Sequence, residues 1–238
     1  MSQVDKVLVF DIWGDYAHFR KIETTTSPLT YLIPTGTALS GILSAIIGLD
    51  RDSYYEIFSP KNSRLTVRIL QPIQKTRINL NLIETSAGFF LWDIKENPRT
   101  RIPFEFVKNP RYRIYFGTRY KELYQNLKSC LEKHQCFYTP YLGISELIAN
   151  FEYVGEFDVG EPMKTKGPER IHSIVRKDRA KLIVEEGKRY GLEKIPVFMD
   201  KNRIVQEYAD VFFEVNAKSL EISDGEFYVI GNENVIFL

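Results

Sequence analysis

The chain has 238 residues, 44% of them hydrophobic and 26% charged, with a formal net charge of +1. That length can hold a sizeable core, and the composition is that of an ordinary globule. The charge excludes a globally basic nucleic-acid binder, and no apolar run approaches the ~20 residues of a membrane span.

The first residues lack the charged-then-apolar pattern of a signal peptide. Cys130 and Cys136 have neither metal nor redox spacing, so reduced thiols and a cytoplasmic location are expected. The 3 histidines are too scattered for a metal cluster, and no cofactor is expected.

In chain order, Lys6 to Trp13 alternates Leu8, Phe10 and Ile12 with Val7 and Val9, which predicts a central strand covered on both faces. Residues 14–34 are polar and irregular. They carry Tyr16, His18, Phe19, Arg20 and Lys21 ahead of the Thr24-Thr25-Thr26-Ser27-Pro28 breaker. The spacing then predicts a helix over 35–49, with Leu39, Ile42, Leu43, Ile46 and Ile47 as its buried stripe.

The opposite stripe of that helix is Thr37, Gly41, Ser44 and Gly48, without the Lys and Glu of a solvated face. Gly inside a helix costs about 1 kcal/mol relative to Ala, so two on one stripe imply a close approach. Tight packing between two layers and a ligand both satisfy that implication. Thr35, Gly36 and Thr37 cap the start, where free backbone N–H groups suit a phosphate.

A short helical stretch is expected near Ser53 to Phe58, and strands over Ser63–Leu70, Pro110–Phe116 and Leu147–Phe157. Thr118 to His134 is a charged amphipathic helix. Strand, helix, strand, strand, helix, strand is the ferredoxin-like order also used by RNA-recognition motifs, so the fold class is α+β. Residues 71–110 are too long for a connector and too aromatic for disorder, with Phe89, Phe90, Trp92, Phe104 and Phe106. They predict an inserted β-hairpin with arms Ile73–Ile83 and Phe89–Ile94 with Pro103–Val107. The organisation is then a domain over 1–157 and a smaller β-rich part over 158–238. The latter has a basic loop, a helical patch from Asp178 to Tyr190, and short strands separated by turns at Asp224-Gly225 and Gly231-Asn232.

Charge is segregated along the chain. Lys75, Arg77, Lys95, Arg99, Arg101, Lys108, Arg111 and Arg113 gather in and just after the hairpin, and seven bases between Lys164 and Lys181 face only Glu169 and Asp178. From Val205 onward seven acids face the single base Lys218. Local polyanion sites on a neutral protein produce this pattern. Arg20 and Lys21 beside aromatics suit a single strand, with cations on phosphates and rings under bases. Gly143, in Tyr141-Leu142-Gly143, permits positive φ or close backbone approach.

Three segments carry a family resemblance: Phe10-Asp11-Ile12-Trp13-Gly14, Pro34-Thr35-Gly36-Thr37-Ala38-Leu39-Ser40-Gly41, and Tyr138-Thr139-Pro140-Tyr141-Leu142-Gly143. Together they resemble the fifth Cas family, CRISPR-associated subunits of the RAMP superfamily that cap the crRNA 5′ end in type I Cascade. The resemblance runs to about Phe157. It implies a non-catalytic subunit whose partners are the crRNA 5′ handle, the Cascade backbone and large subunits and, once assembled, target DNA. Taken with the charge pattern and the Arg20-Lys21 loop, the expected RNA-binding set is Arg20, Lys21, Thr35, Gly36, Thr37, Gly41, Lys75, Arg77, Arg99, Arg101, Arg111, Arg113, Tyr141 and Gly143.

One subtype of that family cuts precursor crRNA itself with a tyrosine, a lysine and a histidine. The alternative is therefore a metal-independent endoribonuclease. Cleavage through a 2′-OH needs a group titrating near neutrality and a cation for developing charge. His18, His134 with Lys133, and above all His172 among Lys166, Arg170 and Arg176 are the candidates.

Overall fold

Strand β1 (Lys6–Trp13) sends Leu8, Phe10 and Ile12 into one core and Val7 and Val9 into another. The computed structural model describes residues 4–25, 27–84, 99–165 and 167–238. After β1 come the short strands β2 (Tyr16–Ala17), β3 (Phe19–Arg20) and β4 (Thr30–Tyr31), helix α1 (Gly36–Ile47) and β5 (Ser63–Ile69). A hairpin follows, with arms β6 (Gln74–Ile83) and β7 (Arg99–Lys108), then β8 (Arg111–Thr118), helix α2 (Lys121–Glu132) and β9 (Asn150–Asp158). The remaining strands are β10 (Met163–Thr165), β11 (Glu169–Ile171), β12 (Val175–Arg176), β13 (Ala180–Ile183), β14 (Tyr190–Met199), β15 (Val205–Glu214), β16 (Leu220–Ile230) and β17 (Glu233–Val235).

The fold is α+β. Its central sheet is antiparallel with order β5–β8–β1–β9. Ile114 of β8 sits between Phe10 of β1 and Val67 of β5, and Phe151 of β9 faces Ile12. This register places alternate apolar side chains under the helices. Leu39, Ile42, Leu43 and Ile46 of α1, with Tyr124, Leu127 and Leu131 of α2, fill the larger core.

Residues beyond 157 are built into both cores. Ile195 and Val197 of β14 and Val211 and Phe213 of β15 join the larger one, beside α1. Ile230, Val235 and Phe237 close the smaller one over Val7, Val9 and Tyr115. The sheet is therefore covered on both faces.

Several local expectations are corrected. Residues 53–58 form turns rather than a helix: six residues nucleate a helix poorly, and the Tyr55 hydroxyl is drawn to Asp52 at 2.6 Å. The patch from Asp178 to Tyr190 contains β13, which pairs with β16 from Ala180↔Gly225 to Ile183↔Glu221, so sheet pairing overrides helix propensity. Asp224-Gly225 is no turn but lies inside β16, where Gly225 admits the Ala180 side chain. The hairpin forms through ten paired positions from Gln74↔Lys108 to Ile83↔Arg99, and its expected Phe89–Ile94 segment lies outside the described residues. Among the described residues no helix is long and apolar enough to cross a membrane.

Candidate nucleic-acid interface

Helix α1 starts at the Thr35 N-cap, whose Oγ1 accepts the Ala38 N–H at 3.1 Å, and stops at Gly48 with φ +76°. Of its small stripe, Thr37 and Gly41 stay partly open between these ends, while Ser44 is buried. A Cβ placed on Gly41 would meet only the Tyr54 hydroxyl, at 3.7 Å. Thr37, Gly41 and Ala45 form the floor of a cleft of about 850 Å³. Tyr54, Tyr55, Tyr138 and Tyr141 line it as well. Arg203, from the turn between β14 and β15, closes the rim.

Backbone hydrogen bonds set this geometry. Phe137 and Tyr138 donate their N–H groups to Ile46 and Ala45 at 2.9 Å each, strapping the segment after α2 across the end of α1. His18 N–H donates to the Leu142 carbonyl at 2.9 Å, which holds the Tyr141–Gly143 turn against the strand region after β1. Gly143 has φ +103°, and a Cβ there would overlap the His18 carbonyl. Its close approach is thus to the chain's own backbone. Tyr138 and Tyr141 remain exposed, with their rings available for stacking.

The titratable groups at the cleft are held in fixed charge states, Asp52 ionised and the two tyrosines neutral. Hydrogen bonds from Arg203 and then Tyr55 lower the Asp52 carboxyl to about 2. Burial, reinforced by Asp52, pushes Tyr55 up to about 12, and burial raises Tyr54 as well. These groups keep one protonation state across the neutral range, an arrangement that serves binding better than proton transfer.

The predicted RNA-binding residues separate into five places. Thr37, Gly41, Tyr141 and Gly143 meet at the cleft. Thr35 and Gly36 do not open onto it. Both are buried, and a Cβ on Gly36 would overlap the Val197 carbonyl of β14, so the helix start is covered by a strand. Of the small stripe, Gly48 is also closed off, against the Phe137 ring.

Arg20 is exposed and bonds the Thr24 carbonyl, whereas Lys21 is tied to Glu193 at 2.8 Å with its ammonium over the Tyr31 ring. On the hairpin, the register puts Lys75, Arg77, Arg99 and Arg101 on one face of the ribbon, opposite Val107, Glu105, Ile83 and Asn81 in turn. Lys75 pairs with Glu105 at 3.2 Å.

Arg111 and Arg113 belong elsewhere. They project from β8 on the sheet face away from the helices, where Arg113 binds Asp11 at 2.8 Å and Glu233 at 2.8 Å. Arg111 reaches Asp11 at 3.3 Å and lies over the Trp13 ring. The Tyr115 hydroxyl and Arg68 also bond Glu233. This is an internal ion network rather than an extension of the hairpin's basic face.

His172 is half-buried, and its Nδ1 accepts the Asn234 N–H at 3.0 Å. Burial and then the Arg68 charge lower its pKa. Arg176, expected beside it as a phosphate ligand, is committed to Asp178 and Glu207 at 2.8 and 2.6 Å. Lys166 lies outside the described residues. No group of three metal-ligating side chains occurs among the described residues.

Sequence reasoning missed Tyr54, Tyr55, Asp52, Tyr138 and Arg203. The adjacent tyrosines at 54–55, and Tyr138 three positions before Tyr141, were visible signals. Arg203 approaches only through the β14–β15 pairing.

Residues 7–214 match the family model described as CRISPR-associated protein (Cas_Cas5). The chain belongs to the Cas5 family. Its fold is similar to that of a CRISPR protein from Archaeoglobus fulgidus, with TM-score 0.55 and 14% identity over 96% of this chain and 98% of that one. A chain of a CRISPR RNA-guided surveillance complex matches with TM-score 0.53 and 12% identity, over 90% and 91% of the two chains. A Cas protein crystal structure matches at 0.50 and 13%, over 89% and 95%. At these identities the likeness is one of fold. No curated protein matches this Cas5-family sequence.

Proposed function

We propose that this Cas5-family chain is a non-catalytic RNA-binding subunit of a type I CRISPR Cascade complex, holding the 5′ handle of the crRNA. The observation that carries the reading is the cleft over Gly41. It has a floor without bulky side chains, exposed tyrosine rings at its side and an arginine at its rim. Such a site admits a nucleotide whose base stacks on a ring while its phosphate meets a cation.

In this reading the central sheet with its two helices is the ferredoxin-like unit. The hairpin's basic face, Lys75, Arg77, Arg99 and Arg101, contacts RNA phosphates or the neighbouring backbone subunit. The acidic carboxyl-terminal strands face protein in the assembled complex, such as the large subunit.

The test is direct binding of repeat-derived handle RNA to purified protein. Removing a stacking ring costs about 1–3 kcal/mol, so Tyr141→Ala should weaken affinity by roughly fivefold or more. Gly41→Leu should weaken it comparably by filling the floor. If both variants bind the handle as wild type does, the reading fails. The same protein should leave repeat RNA intact without metal. Site-specific cutting that is lost in His172→Ala would replace the scaffold reading with the endoribonuclease one.

A further inference from the structure

On the sheet face away from α1, two adjoining hollows of about 590 and 550 Å³ share Arg179, Tyr228 and Phe237 in their walls. They form one groove beside the edge strand β5. Its basic part is lined by Lys61, Arg64, Arg119 and Arg179, beside Ser63 and Leu238. We propose that this groove is a second polyanion site, separate from the cleft over Gly41, that takes the sugar–phosphate backbone of a single-stranded nucleic acid.

The arginines carry the argument. None of Arg64, Arg119 and Arg179 has a carboxylate within ion-pair distance among the described residues, whereas Arg68, Arg113, Arg176 and Arg203 all do. Each of the three is instead held by a neutral partner. The Arg64 guanidinium lies 4.6 Å from the Tyr228 ring centroid and 5.8 Å from that of Phe237. Arg119 lies 5.3 Å from the Tyr120 ring centroid, and Arg179 donates to the Phe237 carbonyl at 2.7 Å.

Stacking on a ring and bonding a carbonyl orient a guanidinium without neutralising it, leaving its other N–H groups for an external anion. Three such forks along one groove match a chain of repeated phosphates better than a single small anion. The far end, where Lys164 is paired with Glu226 at 2.8 Å beside Asp224, is neutralised. The site therefore spans Arg64, Arg119 and Arg179.

This surface is tested with a labelled oligouridine of about a dozen nucleotides, a probe without handle sequence, titrated by fluorescence anisotropy at several salt concentrations. The triple variant Arg64→Gln, Arg119→Gln, Arg179→Gln should lose at least tenfold in affinity. Its slope of log affinity against log salt should fall by about 2, at roughly 0.7 per phosphate contact on a single strand. Arg119→Lys with Arg179→Lys keeps the charges and should retain most of the slope, which separates a charge effect from misfolding.

In a Gly41→Leu background, where the other cleft is filled, the triple substitution should cause the same loss of affinity and slope, so failure of the handle reading and failure of this one are distinguishable. An unchanged slope in the triple variant, with Arg→Lys behaving identically, overturns the proposal. Displacement of the probe by poly-glutamate as readily as by unlabelled RNA also overturns it, and assigns the groove to an acidic protein segment.

Discussion

Arg203 and Asp52 meet across 151 positions of sequence as a two-pronged ion pair, Nε to Oδ1 at 2.9 Å and Nη2 to Oδ2 at 2.8 Å. Both residues have left-handed backbone, φ +62° and +67°, a region that non-glycine residues rarely enter. The pair fastens the β14–β15 turn to the loop after α1, and so fixes where the rim of the cleft stands. Replacing Arg203 by Gln removes the main cause of the low Asp52 pKa. The Asp52 carboxyl should then titrate well above about 2 and nearer its ordinary 3.8, as followed by carboxyl-carbon NMR. Handle RNA affinity should fall several-fold in the same variant. A titration unmoved from about 2 would show that the Tyr55 hydroxyl alone sets it.

Gly36 and Gly41 lie one and a half turns apart on one helix, yet their substitutions should fail differently. At Gly36 a Cβ overlaps the backbone carbonyl of Val197, so Gly36→Ala must displace β14 and should destabilise the fold by about 1–3 kcal/mol. At Gly41 a Cβ is tolerated, and Gly41→Ala should raise stability by up to about 1 kcal/mol through helix propensity. Gly41→Leu should spare stability and weaken RNA binding. Thermal unfolding of the three variants, read beside handle affinity, separates packing from ligand contact.

Arg113 is a structural cation. Its side chain bridges buried Asp11 and Glu233, so Arg113→Ala leaves two carboxylates short of a partner. Arg111 still reaches Asp11 at 3.3 Å and Arg68 still reaches Glu233, which limits the damage. The expected loss is about 2–4 kcal/mol in chemical denaturation, towards the range for breaking a partly buried ion pair. The salt dependence of RNA binding should not change. Arg101→Ala, on the exposed hairpin face, should do the reverse: little change in stability and a shallower salt slope.

These contrasts show what was legible in the chain. The alternation of Val7–Ile12 and the stripe of Leu39–Ile47 place β1 and α1, because burial on a regular element leaves a period in the sequence. The small face of α1 was equally visible, as a stripe with no charged residue, although packing and ligand contact both accounted for it. Whether a glycine opens onto a cleft or onto a strand is a different matter: Gly36 and Gly41 differ only in what the β14–β15 hairpin, some 160 positions later, lays over the helix start. For the same reason Arg111 and Arg113 looked continuous with Arg99 and Arg101. They follow closely in sequence, but the hairpin ends at Lys108, and β8 turns them towards Asp11 and Glu233. The short elements failed where partners decide, as in β13, which is a strand because β16 is beside it.

The two histidines with lowered pKa predict how stability responds to mild acid. His18 is buried against Phe104 and Phe106; its Nδ1–H donates to the Glu105 carbonyl at 2.7 Å, and its buried Nε2 has no hydrogen-bond partner among the described residues. Protonating Nε2 would place a charge in an apolar site, and burial, with Arg20 as a lesser cause, accordingly lowers the pKa from 6.5. His172 is lowered by burial and by Arg68. The unfolded chain therefore takes up protons near pH 6.5 that the native state still refuses, so the native state binds fewer protons and stability falls as pH falls. The contribution is fully present above about pH 7.5, is lost as the pH drops through 6.5, and stops declining below the native-state pKa values. Unfolding midpoints measured from pH 7.5 to 5 should decline. His18→Gln keeps a donor for the Glu105 carbonyl but cannot titrate, and should flatten that decline. Asp52, titrating from about 2 in the native state against 3.8 unfolded, acts only below this window and does not confuse it. A slope of equal steepness in His18→Gln and His172→Gln would show that neither imidazole is held neutral by the fold.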